Sequence, residues 1–216
     1  MAEQEGVIKF CLEHDTLSKV WIEDLAHNDT FVELKVWRDL CCKLKLLGQD
    51  PDLYQGYGYG NISARESKYR FMISASQTSG HEVSDASHFA RVLSADVDEN
   101  RIQSQGLLPP SSESMTHAAL YQIAPEVNWV VHSHCADIWC NSDVLGLAFT
   151  EQAIPYGTPA MARAVQQLYL TQPDKNQGIF VMKGHEDGVV SYGHTAEQAV
   201  SVMLKNYAKA RCLRSA

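Results

Sequence analysis

Two histidines one residue apart, His132 and His134, are the positions in this 216-residue chain best suited to chemistry. They end the run Asn128-Trp129-Val130-Val131-His132-Ser133-His134, whose apolar and partly β-branched residues predict a buried strand. Side chains at i and i+2 of a strand point to one face, so two imidazoles about 6.6 Å apart along the backbone can converge on one ion. A pair is half of a tetrahedral site. His185 follows Gly184 after the apolar run Gly178-Ile179-Phe180-Val181-Met182, and a strand end suits a third ligand. Glu113 stands where Pro109-Pro110-Ser111-Ser112-Glu113 opens a helix, and it adds a carboxylate. Three neutral imidazoles and one carboxylate suit Zn2+ or another divalent ion such as Mn2+, Co2+ or Fe2+. Such a centre keeps one position open for substrate when Glu113 swings off to act as a base.

The other histidines carry less. His117 lies one helical turn beyond Glu113 and is expected to pack. His81, His88 and His194 fall in polar stretches and read as surface residues, and His14 and His27 belong to no motif. The six cysteines lack C-x-x-C spacing and are expected to be reduced thiols. Cys135, directly after His134, would point away from an ion held by the pair.

The elements that must position these residues can be read from periodicity and punctuation. Leu34 to Gly48 has helical apolar spacing, with the glycine as its stop. A glycine-rich loop, Gln55 to Asn61, leads into a strand pair at 61–65 and 70–74, and 92–97 is a further strand. Ser111 or Ser112 should cap a helix with Glu113 in its first turn and Met115 to Ile123 as its body. Thr158-Pro159 starts a helix to Tyr169. Strands at 178–182 and 189–193 follow, then a last helix opened by Thr195. Residues 1–33 are weakly patterned and read as a helical extension before a main domain at 34–216. Helices and strands mix without strict βαβ alternation, which predicts some antiparallel pairing under flanking helices.

Bulk properties narrow the partners. The composition is 45% hydrophobic and 20% charged, ordinary for a globular chain. A net charge of −8 argues against general affinity for nucleic acid or anionic membrane. No apolar run approaches the roughly 20 residues of a membrane span. The acidic start Met1-Ala2-Glu3-Gln4-Glu5 has no apolar signal core, so a cytoplasmic protein is expected.

The order of the motifs carries more than any one of them. Gly60-Asn61-Ile62-Ser63, then Ile73-Ser74-Ala75-Ser76-Gln77-Thr78-Ser79-Gly80, then Pro110-Ser111-Ser112-Glu113, His132-Ser133-His134 and Gly184-His185 resemble the class II aldolase/adducin family. The resemblance spans roughly Leu34 to Ala210. It implies a three-layer α/β/α sandwich around a mainly antiparallel sheet, and a homotetramer with active sites at subunit interfaces. It implies metal ligation by His132, His134 and His185, with Glu113 as ligand and catalytic acid/base. It also implies that Asn61, Thr78, Gly80, Ser111 and Ser112 hold an anionic group of the substrate. Small Gly, Ser, Thr and Asn residues at loops and a helix start present N–H and O–H donors without bulk, which suits that task. The activity implied is that of a metal-dependent lyase acting on a small hydroxy-carbonyl compound through a stabilised enediolate, with a dehydratase, an epimerase or a non-catalytic adducin-like protein as alternatives. Departures from the family pattern include two within the motifs. The loop 74–80 is longer than the usual short turn, and Glu186-Asp187 follow His185 where the sugar-phosphate enzymes usually carry glycine.

Overall fold

The computed structural model describes residues 6–17, 25 and 28–214. A single nine-stranded sheet runs through its centre. Its strands are β1 (Cys11–Thr16), β4 (Asn61–Arg65), β5 (Phe71–Ser74), β6 (Phe89–Asp96), β7 (Arg101–Gly106), β8 (Trp129–His134), β9 (Ala148–Phe149), β10 (Gln177–Val181) and β11 (Gly188–Gly193). Their order across the sheet is β1-β7-β6-β5-β4-β8-β11-β10-β9. Only the outermost pairs, β1 with β7 and β9 with β10, are parallel. A small ribbon of β2 (Gly48–Gln49) and β3 (Gly58–Tyr59) lies apart from the main sheet.

Helices cover both faces, and the alternation of side chains along β8 shows why. Trp129 and Val131 point into one apolar layer with Leu34 and Cys41 of α1 (Asp29–Lys43) and Ala199 and Met203 of α5 (Ala196–Arg214). Val130 points the other way, into a layer with Met115 and Leu120 of α2 (Ser114–Ile123) and Met161 and Val165 of α4 (Pro159–Thr171). A short helix, α3 (Ala136–Cys140), follows β8 directly. Each large side chain buried in these layers contributes about 1.5–3 kcal/mol. The architecture is the expected α/β/α sandwich with a mostly antiparallel sheet.

Local chemistry sets the helix ends. Asn28 caps α1 by accepting the Phe31 N–H at 3.0 Å, and Thr158 caps α4 by accepting from Met161 at 3.2 Å. At α5 the Thr195 hydroxyl accepts from Gln198 N–H, while the Gln198 side chain accepts from Thr195 N–H at 3.1 Å. No helix among the described residues is long and apolar enough to cross a membrane.

The helical reading of residues 1–33 is corrected at Cys11–Thr16. Cys11–Thr16 form β1, an edge strand whose every residue pairs with β7. The helix expected from Leu34 begins at Asp29, because Asn28 supplies the cap. Residues 1–5, 18–24 and 26–27 of that segment, His27 included, lie outside the described residues. β7 was invisible to pattern reading because its outward residues, Arg101, Gln103 and Gln105, make the run look polar.

Candidate functional site

His132 and His134 project from the second half of β8, on the face covered by α2 and α4. β8 lies between β4 and β11, where His132 pairs with Asn61 on one side and Val190 on the other, and His134 pairs with Gly188. His185 arrives from the turn between β10 and β11. That turn is fixed by hydrogen bonds from His185 N–H to Met182 O at 3.0 Å and from Gly188 N–H to His185 O at 2.9 Å. Gly184 is required there, since a Cβ would sit 1.7 Å from the Ile154 carbonyl oxygen. The ring nitrogens of the three histidines can be chosen to lie within 4.8 Å of one another. Their ring centroids are 4.8–5.1 Å apart.

Glu113 reaches the same point from the start of α2. It is the N-cap residue of that helix and stands outside the first turn where the sequence had put it. Ser111 takes over the turn, its hydroxyl accepting from Glu113 N–H at 3.3 Å and its carbonyl from Ser114 N–H at 3.0 Å. One carboxylate oxygen, Oε2, accepts from the Thr116 hydroxyl at 2.7 Å. The other, Oε1, lies 3.6 Å from His185 Nδ1. Glu113 is 1% exposed, and the three histidines are all buried.

Burial sets the electrostatics. His132 is fully enclosed and neither ring nitrogen has a hydrogen-bond partner. Its pKa is pushed well below the ordinary histidine value, first by burial and then by the neighbouring His185 and His134. A neutral imidazole is the ligand form, and two unpartnered buried nitrogens are costly unless something binds one of them. The residue set therefore fits a divalent cation. His117, one turn along α2, lies near enough for its charge to bear on His132; its Nδ1 bonds the Ser63 hydroxyl at 2.7 Å and its Nε2 is buried without a partner. Cys135 occupies the N-cap position of α3 without a side-chain capping bond, and all six cysteines are free thiols.

Aromatic rings wall the centre, and sequence reasoning missed them. Tyr54 stands edge-on to His134 with centroids 4.6 Å apart, and its hydroxyl donates to Asp187 at 2.7 Å. Tyr156 stacks on His185 at 4.4 Å. The ammonium of Lys9 lies 3.6 Å from the centroid of the Tyr156 ring. The available signals were aromatic residues beside glycines, in Tyr54-Gln55-Gly56 and Pro155-Tyr156-Gly157. Asp187, noted as a departure from the family pattern, is thus tied to Tyr54, while Glu186 is exposed.

The five residues expected to bind an anion do not all face one space. Asn61, Ser111 and Ser112 line a small cavity with Gly58, Gly60 and Gln77. Thr78 is turned inward, its hydroxyl donating to Ala75 O at 2.8 Å. Gly80 faces the Gln49 side chain in a neighbouring cavity. Arg38, buried and unnoticed in the sequence, holds this loop by donating to the carbonyls of Thr78 and His81.

Solved structures share this architecture. The chain aligns with L-fuculose 1-phosphate aldolase at a TM-score of 0.62 and 18% identity, covering 87% of each chain. It aligns with YgbL of Klebsiella pneumoniae, described as a putative aldolase/epimerase/decarboxylase, at 0.61 and 16% identity over 90% of each. A sugar-phosphate aldolase from Thermotoga maritima aligns at 0.59 and 16%, over 88% of this chain and 95% of that one. These likenesses show the fold. Residues 45–211 match the family described as Class II Aldolase and Adducin N-terminal domain, most of the chain, and the protein therefore belongs to that family.

Proposed function

We propose that this protein is a divalent-metal-dependent lyase of the aldolase type, acting on a small hydroxy-carbonyl compound of the sugar or sugar-phosphate kind. The observation that carries the reading is His132, buried with two unpartnered ring nitrogens among His134, His185 and the Glu113 carboxylate. His132, His134 and His185 would hold the ion, with Glu113 as a displaceable fourth ligand. Zn2+ is the first choice, given three nitrogens and one oxygen. Bound there, a divalent cation supplies a Lewis acid that stabilises enediolate charge.

The remaining work falls to the chain. Thr116 anchors Glu113 at Oε2 and so orients the carboxylate that takes and returns the substrate proton. Tyr54 and Tyr156 exclude water from the centre, which strengthens every charge interaction in it. Glutamate rather than aspartate at 113 favours lyase or dehydratase chemistry over epimerisation. The intact set of three histidines and one glutamate favours an enzyme over an adducin-like interaction protein.

The family resemblance supports a homotetramer with interfacial active sites. An apolar stripe on α1 and its C-cap, formed by Val32, Val36, Leu40 and Leu44, is exposed in the single chain and offers a face to bury.

Elemental analysis tests the centre: about one divalent transition ion per chain is expected, lost in His132→Ala. Metal-free protein, or metal that survives the substitution, overturns it. A panel of sugar phosphates and unphosphorylated hydroxy-ketones, with Glu113→Gln as the blank, tests the chemistry. Turnover equal in wild type and Glu113→Gln removes the proposed base.

A further inference from the structure

We infer that residues 6–10 form a strap that closes the histidine centre, and that it must lift before a substrate enters. The inference rests on the proposed function only in taking that centre as the place where a substrate arrives.

The centre needs an opening. None of His132, His134, His185 and Glu113 is more than 6% exposed, so a compound of several carbons needs a movement of the chain to reach them. Two of the walls are fixed: Tyr54 is tied to Asp187 through its hydroxyl, and Tyr156 is buried in the apolar layer that holds Phe180 and Tyr192. Residues 6–10 lie in no helix or strand, and a run of chain without a ladder of backbone bonds opens at least cost.

The strap is traced by its contacts. Phe10 is buried in the same apolar layer, and the Cys11 N–H donates to Asn100 O at 2.8 Å where β1 begins, which anchors one end. The Asn100 side-chain amide donates to Lys9 O at 3.1 Å. The Lys9 ammonium donates to Tyr156 O at 3.2 Å and lies against the ring that stacks on His185. The Lys9 stem packs on Gly157, where a Cβ would stand 3.2 Å from Lys9 Cβ. Gly6 then reaches the small cavity lined by Gly58, Asn61 and Ser112, with φ 73° and the Gln77 amide directly against it. One short run thus meets the His185 wall and borders the cavity beside it. An ammonium on a ring and single polar bonds are each of modest net strength, which suits a latch that opens and recloses. The hinge falls between Lys9 and Phe10, where the buried anchor ends.

A disulfide lock in the full chain tests the strap. The Lys9–Gly157 spacing is within a few tenths of an ångström of the roughly 3.5–4.5 Å between disulfide Cβ atoms, so Lys9→Cys with Gly157→Cys should hold the strap down. The pair is compared with itself, oxidised and reduced, which cancels any strain of a side chain at φ 69° of Gly157; peptide mapping locates the bond. Diethylpyrocarbonate labelling of His134 and His185 in metal-free protein, followed by mass spectrometry, should be slower in the oxidised form by about tenfold or more, as for a site reached through a moving cover. Release of Zn2+ from metal-loaded protein to a chelator should slow alike. Asn100→Gly removes the bond to Lys9 O at a position whose φ of 48° suits glycine, and should speed both processes relative to wild type. Equal rates in the oxidised and reduced lock overturn the inference, as does a pair that fails to oxidise or an Asn100→Gly variant that matches wild type. If the protein binds no Zn2+, the proposed function fails, and the labelling rates still decide the strap.

Discussion

Tyr54 joins its hydroxyl to the Asp187 carboxylate at 2.7 Å across 133 positions of sequence. Both residues have left-handed backbone, φ 49° and 59°, which costs free energy in non-glycine residues and persists where neighbours enforce it. The bond links the loop before β3 to the turn that carries His185. Asp187 also receives the Cys135 N–H on its carbonyl at 2.8 Å, so the turn is tied to the end of β8 as well. Burial, then the Asp187 bond, holds the Tyr54 phenol well above the ordinary tyrosine range, so it stays protonated and donating. Tyr54→Phe should cost about 1–3 kcal/mol in chemical denaturation, since it leaves a charged acceptor short of a donor. An unchanged denaturation midpoint would show that the bond does not hold the turn.

The histidine centre should couple metal to stability. An ion that binds only the folded chain stabilises it by about 4 kcal/mol when present at a thousandfold over its Kd. For a domain of this size that is a rise of roughly 10 °C in Tm. Differential scanning fluorimetry with chelator and with Zn2+ should show the rise in wild type and its loss in His132→Ala. A rise that persists in the variant would place the ion elsewhere.

The exposed stripe Val32, Val36, Leu40 and Leu44 recurs every fourth residue along α1 and its C-cap, the spacing of one helical face. If copies of the chain bury it, Val36→Glu with Leu40→Glu should lower the mass seen by light scattering while circular dichroism stays unchanged. A wild type that is monomeric at micromolar concentration would dispose of the proposed assembly.

What the sequence disclosed follows from how each residue does its work. That His132, His134, His185 and Glu113 come together was legible because strand alternation or a helix start says where each side chain points. The sandwich was legible because the apolar runs that form β8, β10 and β11 are continuous. β1 was not, since Cys11–Thr16 is an exposed edge whose pairing with β7 is set by tertiary contact. Tyr54 and Tyr156 were not, since an aromatic in a loop carries no period, and its neighbour across 133 or 29 positions is written nowhere locally. Thr78 and Gly80 were assigned by motif order, which fixes residue types; which way each faces came from Arg38 and Gln49, outside the motif.

Gly184 is the glycine of the Gly-His signature, and its reason is steric. The Ile154 backbone crosses so close that a methyl group has no room, and a backbone atom cannot swing aside as a side chain end would. Gly184→Ala should therefore destabilise by about 2 kcal/mol or more and displace His185. Metal content measured beside Tm separates the two effects. A stable variant with full metal content would show that the turn has more room than this geometry allows.

His117 gives a pH signature that can be read with the metal stripped. It is fully buried, its Nδ1 bonded to Ser63, whose hydroxyl meets Tyr121 Oη at 2.8 Å. Burial pushes its pKa down to about 3. In the unfolded chain a histidine titrates near pH 6.5. Below that pH the unfolded state takes up a proton that folded His117 refuses, so stability falls as pH falls, from about 6.5 toward about 3. The slope from this one group approaches about 1.4 kcal/mol per pH unit. Urea denaturation of metal-stripped wild type and His117→Gln between pH 7 and 4 isolates it, because the other buried histidines are common to both. The variant should lose less stability than wild type over that range, by about one group's slope. Parallel curves would mean that His117 is reached by protons in the folded protein, and that the seal between α2 and β4 is looser than its hydrogen bonds imply.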